Sequence, residues 1–146
     1  MNNLILTEAV NCARITAIML KSFHEHHPNH KIHIVCTNAD LEALGEIGKH
    51  ENNILIDISG DSPLLNKYST GHSGTAHVFA KALSGAYGEF DFFTHIDGDV
   101  FFKKESMSLI ENSFDEGFDI VGSLRCYGNN PSNVKGLDAY PDSVST

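Results

Sequence analysis

The sequence lacks an apolar run that approaches the length of a membrane-spanning helix. Its unbroken apolar stretches are only a few residues long, whereas about 20 apolar residues are needed to cross the hydrocarbon core of a bilayer. The opening residues Met1-Asn2-Asn3 also lack the basic charge with which a secretory signal begins. We therefore expect no transmembrane segment and a cytoplasmic location.

Cysteine and basic residues are also scarce. The three cysteines, Cys12, Cys36 and Cys126, are widely spaced and form no C-x-x-C pair, so the sequence predicts neither a disulfide framework nor a thiolate zinc site. The 10 Lys and Arg residues form no basic run and are outnumbered by 19 Asp and Glu residues, which leaves a net charge of -9. Because that charge repels a phosphate backbone, we expect no nucleic-acid partner.

Short apolar runs alternate with segments of helical periodicity along most of the chain. With 146 residues and 41% hydrophobic content, the chain can bury one core, so we expect a single domain over residues 1–146. Strands are predicted at 4–7, 31–37, 54–58 and 90–96, with a further apolar run at 118–121, and helices at 12–26, 40–48, from Ser73 or Thr75 to 85, and at 106–114. This alternation predicts an α/β fold with a mostly parallel sheet and helices on both faces, in a Rossmann-like arrangement.

Local patterns add more specific expectations. Asn11 is expected to cap the first helix, whose apolar residues recur at the spacing of one buried stripe: Ile15, Ile18, Met19 and Phe23. The turn-forming residues 59–63 predict a loop after the third strand. Ligands bind beyond the carboxyl ends of parallel strands, so the following loops are expected to share one rim, near Glu8, Asn38, Ser59 and Asp97.

Two carboxylates stand one residue apart where the most apolar strand ends. Asp97 and Asp99 flank Gly98 directly after the run 92–96, and glycine permits a turn that lets both side chains face one cation. Mg²⁺ and Mn²⁺ on a nucleotide prefer carboxylate, water and diphosphate oxygens. Asp97 and Asp99 are therefore the predicted ligands of Mn²⁺ or Mg²⁺, and a turn selected only for turn propensity is the alternative.

The chain from Leu4 to about Gly122 resembles the glycosyltransferases of the GT-A fold, and among them the family 2-like enzymes. The matching segments are LILT, KIHIVCTNAD, GHSGTAHVFAKAL, AYGEFDFFTHIDGD, FKKESMSLIENSF and FDIVGS. The Gly71 region resembles that family's helix start before the metal strand, with His77 where asparagine is usual. The resemblance implies metal-dependent transfer of a sugar from a nucleoside diphosphate sugar to the hydroxyl of an unidentified glycan, lipid or protein acceptor.

The same resemblance implies roles for residues on three loops. Asp99 is implied to contact the metal, and Asp97 to lie near the ribose or also to reach the cation. The loop after the first strand is implied to line the nucleotide pocket through Thr7, Glu8 and Val10. An acidic or amide residue after the second strand is implied to read the base: Asn38 or Asp40.

The sequence departs from the family in its first loop and in its length. Leu-Thr-Glu-Ala-Val-Asn replaces the family's usual Pro-Thr-Tyr-Asn, and family members continue for ~100 residues more, as a domain of ordinary size would. The later half normally supplies the acceptor site and the base. We therefore expect a nucleotide-sugar-binding part, truncated relative to the family, with 127–146 as a flexible tail or the start of the acceptor half. The late aspartates are more typical of solvated carboxylates than of a base: Asp119, Asp138 and Asp142.

Three other functions stay open. A haloacid dehalogenase-type phosphatase also places Asp-x-Asp after an apolar strand, but that motif has Thr or Val where Phe101 stands. A nucleotidyltransferase would carry a Gly-rich, basic loop near the first strand, and residues 4–11 contain none. A non-catalytic module would bind the nucleotide sugar and metal without turnover.

Several of the nine histidines fall in two groups. One group crowds the end of the first helix: His24, His26, His27 and His30. A zinc site is one interpretation, but helix ends favour polar and cationic side chains, so a solvated cluster is expected. The other group lies before or within the metal strand and could support the metal or a phosphate: His72, His77 and His95.

Overall fold

Four strands form one parallel sheet in the computed structural model, which describes residues 2–70 and 73–118. The strands are β1 (Asn3–Glu8), β2 (Ile32–Cys36), β3 (Asn53–Asp57) and β4 (Phe92–Ile96), in the spatial order β3-β2-β1-β4. In the register, Leu6 lies opposite both His33 and His95. The predicted α/β class and parallel sheet are confirmed.

Within the part of the chain that the structure describes, five α-helices connect or follow these strands. They are α1 (Ala13–His26), α2 (Asn38–Leu44), α3 (Ser62–Ser69), α4 (Ser73–Leu83) and α5 (Ser106–Asp115), and a 3₁₀ helix (Gly45–Lys49) follows α2. No helix among residues 2–70 and 73–118 is both long enough and apolar enough to span a membrane.

The helices cover both faces of the sheet because the strands carry apolar side chains on both sides. On one face, Ile34 of β2 and Ile96 of β4 belong to the core that includes Phe23 of α1 and Met107 of α5. On the other face, a second core with α3 and α4 contains Leu6, Val35, Leu64 and Val78. Even-numbered and odd-numbered residues of β2 therefore lie on opposite faces of the sheet.

The chain divides into two compact units. The first, Met1–Glu111, contains the whole sheet, and the second, Asn112–Thr146, is described only over 112–118, which hold the last turn of α5 and Gly117 at φ 92°. The apolar run expected at 118–121 and the tail at 127–146 lie largely or wholly outside the described residues. The single domain over 1–146 stays a prediction.

Helix α1 differs from its prediction at both its start and its buried face. Asn11 adopts a left-handed backbone (φ 63°), and Cys12 occupies the N-cap without a side-chain capping bond. Met19 and Phe23 of the predicted stripe are buried, but Ile15 and Ile18 are 47% and 51% exposed, because these two residues lie on the side of the helix away from the sheet. The face towards the sheet consists of Ala13, Thr16, Met19, Leu20, Phe23 and His24.

Helix α3 occupies a segment that was predicted to begin as a loop. The Asp61 carboxylate accepts a hydrogen bond from the Leu64 backbone N–H at 3.1 Å, and Pro63 lies in the first turn. An aspartate cap followed closely by proline is a helix-start signal that also resembles a turn. The segment therefore continues into a helix, which carries Tyr68 towards the end of β1.

The histidines at the end of α1 are not a solvated cluster, contrary to expectation. His24 and His27 are only 7% and 4% exposed. The ring of Phe23 makes edge or tilted contacts with both imidazoles, so these two histidines belong to the packed interior beside α1.

Candidate functional site

The strand order creates a topological switch between β1 and β4. The chain moves outward from β1 through β2 to β3 and then returns past β1 to form β4. The connection after β1 runs through α1 on one face, and the connection before β4 runs through α3 and α4 on the other face. The loops beyond β1 and β4 therefore diverge, and such a crevice is where parallel α/β sheets bind ligands.

The loops beyond the carboxyl ends of the strands do share one rim, as predicted. The Asn38 backbone N–H donates to Ser59 Oγ at 2.9 Å, which joins the loops after β2 and β3. The Asn11 backbone N–H donates to Asp40 Oδ1 at 3.3 Å, which joins the loop after β1 to α2.

Glu8, at the end of β1, is the centre of a hydrogen-bond network inside this rim. Tyr68 of α3 donates its hydroxyl to Glu8 Oε1 at 2.7 Å, and Thr75 of α4 donates to Oε2 at 2.8 Å. The Glu8 side chain is only 13% exposed. The carboxylate therefore ties the carboxyl end of β1 to two helices that follow one another in sequence.

The network keeps Glu8 ionised. Burial alone would raise its pKa, but interactions with His95, Tyr68 and Thr75 outweigh that effect and lower the pKa below 4.5. Burial and the neighbouring Glu8 carboxylate raise the pKa of Tyr68, so its hydroxyl stays protonated and keeps donating. A partly buried negative charge thus lies at the switch crevice.

His95 connects the buried carboxylate to the Asp97-Gly98-Asp99 turn. Its Nε2 lies 3.8 Å from Glu8 Oε2, and its Nδ1 lies 3.9 Å from Asp97 Oδ1. Both separations are longer than a hydrogen bond and suit an ion pair when the imidazole is protonated. Phe79 packs edge-on against the ring at a centroid distance of 4.7 Å, which holds the imidazole between the two carboxylates.

Asp97 and Asp99 follow β4 directly and are both exposed, with the Asp97 side chain 57% accessible. The chain does turn at Gly98 and Asp99, but Gly98 does not have a positive φ, so the backbone of the turn does not itself require glycine. A Cβ on Gly98 would lie 2.5 Å from Thr16 Oγ1. The turn that carries both carboxylates is thus packed directly against the first part of α1.

Asp97 and Asp99 are the metal ligands that the sequence predicts. Among residues 2–70 and 73–118, no group of three or more His, Cys, Asp or Glu side chains is placed to hold a metal ion. Two exposed carboxylates at a strand end do not form a protein-only cage. They do fit a Mg²⁺ or Mn²⁺ ion that takes most of its oxygens from water and a bound diphosphate.

The structure separates the remaining predicted site residues into different roles. Thr7 is fully buried and donates its hydroxyl to the Ile96 carbonyl at 2.8 Å, so its side chain links β1 to β4 and does not face the rim. Val10 is partly buried and packs with the α3 and α4 core. Of the three residues predicted at this strand end, Glu8 is therefore the one with a polar side chain at the rim.

The two residues proposed to read a base also differ. Asn38 is exposed at the first turn of α2. The Asp40 carboxylate accepts from the Thr37 backbone N–H at 2.9 Å and from the Thr37 hydroxyl at 2.7 Å, within a capping box. Asp40 is thus committed to the start of α2 and to the Asn11 loop, whereas the Asn38 side chain lies on the open rim.

Tyr68 and Thr75 were not predicted as site residues. Tyr68 lies on α3, a helix that was not predicted from the sequence. No sequence signal links either residue to Glu8, because Tyr68 is 60 positions and Thr75 is 67 positions away from it. Gly71, His72, Asp119, Asp138 and Asp142 lie outside the described residues.

An open depression of about 610 Å³ lies at the amino ends of β1 and β4. The residues that line it include Asn2, Leu83, Gly88 and Asp91. It lies away from Glu8, His95 and Asp97, whose ionisable side chains converge at the rim. Comparisons with protein families, with curated proteins and with solved structures find no match to this chain.

Proposed function

We propose that this chain is the nucleotide-sugar-binding part of a metal-dependent glycosyltransferase of the GT-A kind. The observation that carries the proposal is the location of Asp97 and Asp99, directly after β4 at the β1/β4 switch, where His95 lies between Asp97 and the partly buried Glu8 carboxylate. A diphosphate bound in this crevice would lie against the ends of both strands, where the paired carboxylates can share a cation with it.

The metal expected from the resemblance, Mn²⁺ or Mg²⁺, would be held by Asp97 and Asp99, and it would act as a Lewis acid that neutralises charge on the departing diphosphate. Gly98, packed on Thr16, keeps the backbone between the two aspartates in one place. His95 and Phe79 support Asp97 from the sheet side. Asn38, on the neighbouring loop, is the proposed contact to the base.

We assign no catalytic base and no acceptor. The Asp candidates late in the sequence lie outside the described residues, and the described part of the rim identifies no single group for proton transfer. The proposed reaction is therefore limited to transfer of a sugar from a nucleoside diphosphate to an acceptor hydroxyl.

The proposal is tested by isothermal calorimetry with UDP- and GDP-sugars, in Mn²⁺ or Mg²⁺ and in excess chelator. We expect donor binding that requires metal and that weakens at least about tenfold in Asp99→Asn, because a carboxylate ligand is replaced by a weaker amide. Glu51→Gln is the matched control, since it also removes one negative charge. Glu51 lies in an exposed turn before β3, near the amino ends of the strands and away from Asp99. Binding of equal strength in chelator, or in Asp99→Asn, would contradict the proposal.

Turnover separates the enzyme from a non-catalytic binding module. Release of nucleoside diphosphate from a bound donor, dependent on the same metal and abolished in Asp99→Asn, is expected for the enzyme. Tight, metal-dependent donor binding with no such release would favour the module.

A further inference from the structure

Two imidazoles are stacked where the end of α1 meets the turn before β3. The rings of His24 and His50 lie 3.7 Å apart between centroids and 16° from parallel. His24 is 7% exposed. The pair lies beside the amino end of β3, whereas Asp97 follows the carboxyl end of β4.

The hydrogen bonds of Asn53 determine which nitrogen of His24 carries the proton. Asn53 Nδ2 donates to the carbonyls of Ile47 at 2.7 Å and Gly48 at 3.3 Å, so its Oδ1 is the atom that faces His24. His24 Nε2, 2.7 Å from that oxygen, must therefore donate. His24 Nδ1 is left as an unprotonated nitrogen that is buried and has no hydrogen-bond partner within the described residues.

His50 makes its hydrogen bond through Nδ1, with the backbone of Asn52 as its partner. Its Nδ1 accepts the Asn52 backbone N–H at 3.2 Å, so in the neutral ring the proton is on Nε2. A second proton on Nδ1 would remove that hydrogen bond. The hydrogen bonds of both stacked rings therefore leave Nδ1 as an acceptor nitrogen.

A proton taken up by His24 would have to bind at Nδ1, where no described acceptor is available to it. No described carboxylate pairs with His24: on the facing 3₁₀ helix, Glu46 pairs at 2.8 Å with Lys49, and Glu51 beyond it is exposed. The titratable group facing His24 from that turn is His50, and two protonated rings at this distance would repel each other. In agreement, burial lowers the pKa of His24 below 6.5, and the neighbouring His50 lowers it further, against the raising effect of Asn53.

The turn that this stack covers ties several elements together. The Asn52 carbonyl accepts the Ile32 backbone N–H at the start of β2 at 3.0 Å, and the Asn52 side chain donates to the Pro28 carbonyl at 2.6 Å. The Asn53 backbone N–H, at the start of the edge strand β3, donates to the His50 carbonyl at 2.9 Å. Loosening the stack would therefore release the amino end of β3.

We propose that the His24–His50 stack is an acid-sensitive latch, which holds the 50–53 turn and the amino end of β3 against α1 and opens when His24 is protonated. The opened form binds one more proton than the closed form, so closure is fully favoured above pH 6.5 and weakens as pH falls below it. For one excluded proton, the opening equilibrium constant rises by up to about tenfold per pH unit, until pH reaches the lower pKa of the closed form.

The test combines histidine NMR titration with amide hydrogen exchange, from about pH 7.5 to about pH 5, the range over which histidine changes charge. Protection factors are used because they remove the intrinsic pH dependence of exchange. The amides of Ile32 and Asn53 report on the opening. The internal reference is the Ala9 amide, which donates to the Val35 carbonyl just beyond the carboxyl end of β1. We expect Ile32 and Asn53 to lose protection relative to Ala9 as pH falls.

Two variants identify the group responsible. His24→Gln keeps an amide N–H for Asn53 but cannot titrate, so the part of the pH dependence that comes from His24 should be lost, and Ile32 and Asn53 should keep more protection in acid than in the wild type. His77→Gln on α4 removes a histidine away from the stack and should behave like the wild type. Acid-induced loss of protection that persists unchanged in His24→Gln would overturn the latch. So would titration of His24 in the wild type at or above pH 6.5, a measurement that needs no variant.

Discussion

The close packing of Gly98 against Thr16 yields a quantitative prediction for the turn that carries Asp97 and Asp99. In Gly98→Ala, the new methyl carbon would lie 2.5 Å from Thr16 Oγ1, which is 0.9 Å inside the 3.4 Å at which ordinary contact begins. Thr16 is fully buried and its hydroxyl bonds the Cys12 carbonyl at 3.1 Å, so it cannot easily turn away. Overpacking of this kind costs about 1–3 kcal/mol of the free energy of unfolding.

A second substitution separates this clash from any other effect of alanine. Thr16→Ala removes Oγ1, after which the nearest atoms of residue 16 to the new methyl lie at 3.5 and 3.6 Å, in ordinary contact. Thr16→Ala alone should cost about 1 kcal/mol through the lost hydrogen bond. In that background Gly98→Ala should cost almost nothing, so the double-mutant cycle should give a favourable coupling of about 1–3 kcal/mol.

The assay is urea unfolding of the four proteins of the cycle, with Gly60→Ala as the matched control. A Cβ on Gly60 meets nothing within 4 Å and its φ is not positive, so the free energy of unfolding should change by less than about 0.5 kcal/mol. If the proposed donor site is correct, Gly98→Ala should also weaken metal-dependent donor binding, and the double variant should recover it. Equal destabilisation by Gly98→Ala with and without Thr16→Ala would refute the packing argument.

Two further predictions concern buried ionisable groups. In Glu8→Gln, an amide N–H₂ would face one of the hydroxyl donors of Tyr68 and Thr75, so urea unfolding at neutral pH should show a loss of about 2 kcal/mol. Because the pKa of Glu8 is lowered in the folded chain, its carboxylate stabilises the fold above pH 4.5, and this stabilisation is lost as pH falls through the folded-state pKa. The difference in the free energy of unfolding between the wild type and Glu8→Gln should therefore shrink in acid. A difference that stays constant with pH would contradict the role of the charge. Cys36 is 2% exposed, and burial raises the pKa of its thiol to about 11, whereas Cys12 is exposed. Iodoacetamide at neutral pH should therefore modify Cys12 in the native chain and Cys36 only after unfolding. Peptide mass spectrometry identifies the modified cysteines.

The predicted elements that were confirmed are those whose sequence pattern is strong by itself. The alternation of Ile32, Ile34 and Val35 in β2 reflects burial on both faces, and it can be recognised without knowing what covers either face. The start of α4 at Ser73 was also expected. The buried stripe of α1 was predicted correctly at Met19 and Phe23 and wrongly at Ile15 and Ile18, because these two isoleucines have the same helical spacing as residues that do face the sheet.

The same division applies to the candidate site. The Asp97-Gly98-Asp99 motif and the loop at Glu8 could be identified from the sequence, since both follow apolar strands. The partners of Glu8 could not, because Tyr68 and Thr75 reach it only after α3 and α4 fold over one face of the sheet. The burial of His24 was likewise missed, since a histidine at a helix end is most often solvated.

The sequence by itself determined the α/β class, the parallel strands and the carboxylates at a strand end, because hydrophobic periodicity and local turn chemistry act between residues close together in the chain. Only the tertiary structure decided that β4 lies beside β1, that Gly98 is required by Thr16, and that His24 stacks on His50. Each of these depends on contacts between residues far apart in sequence, whose geometry exists only once the helices have packed on the sheet.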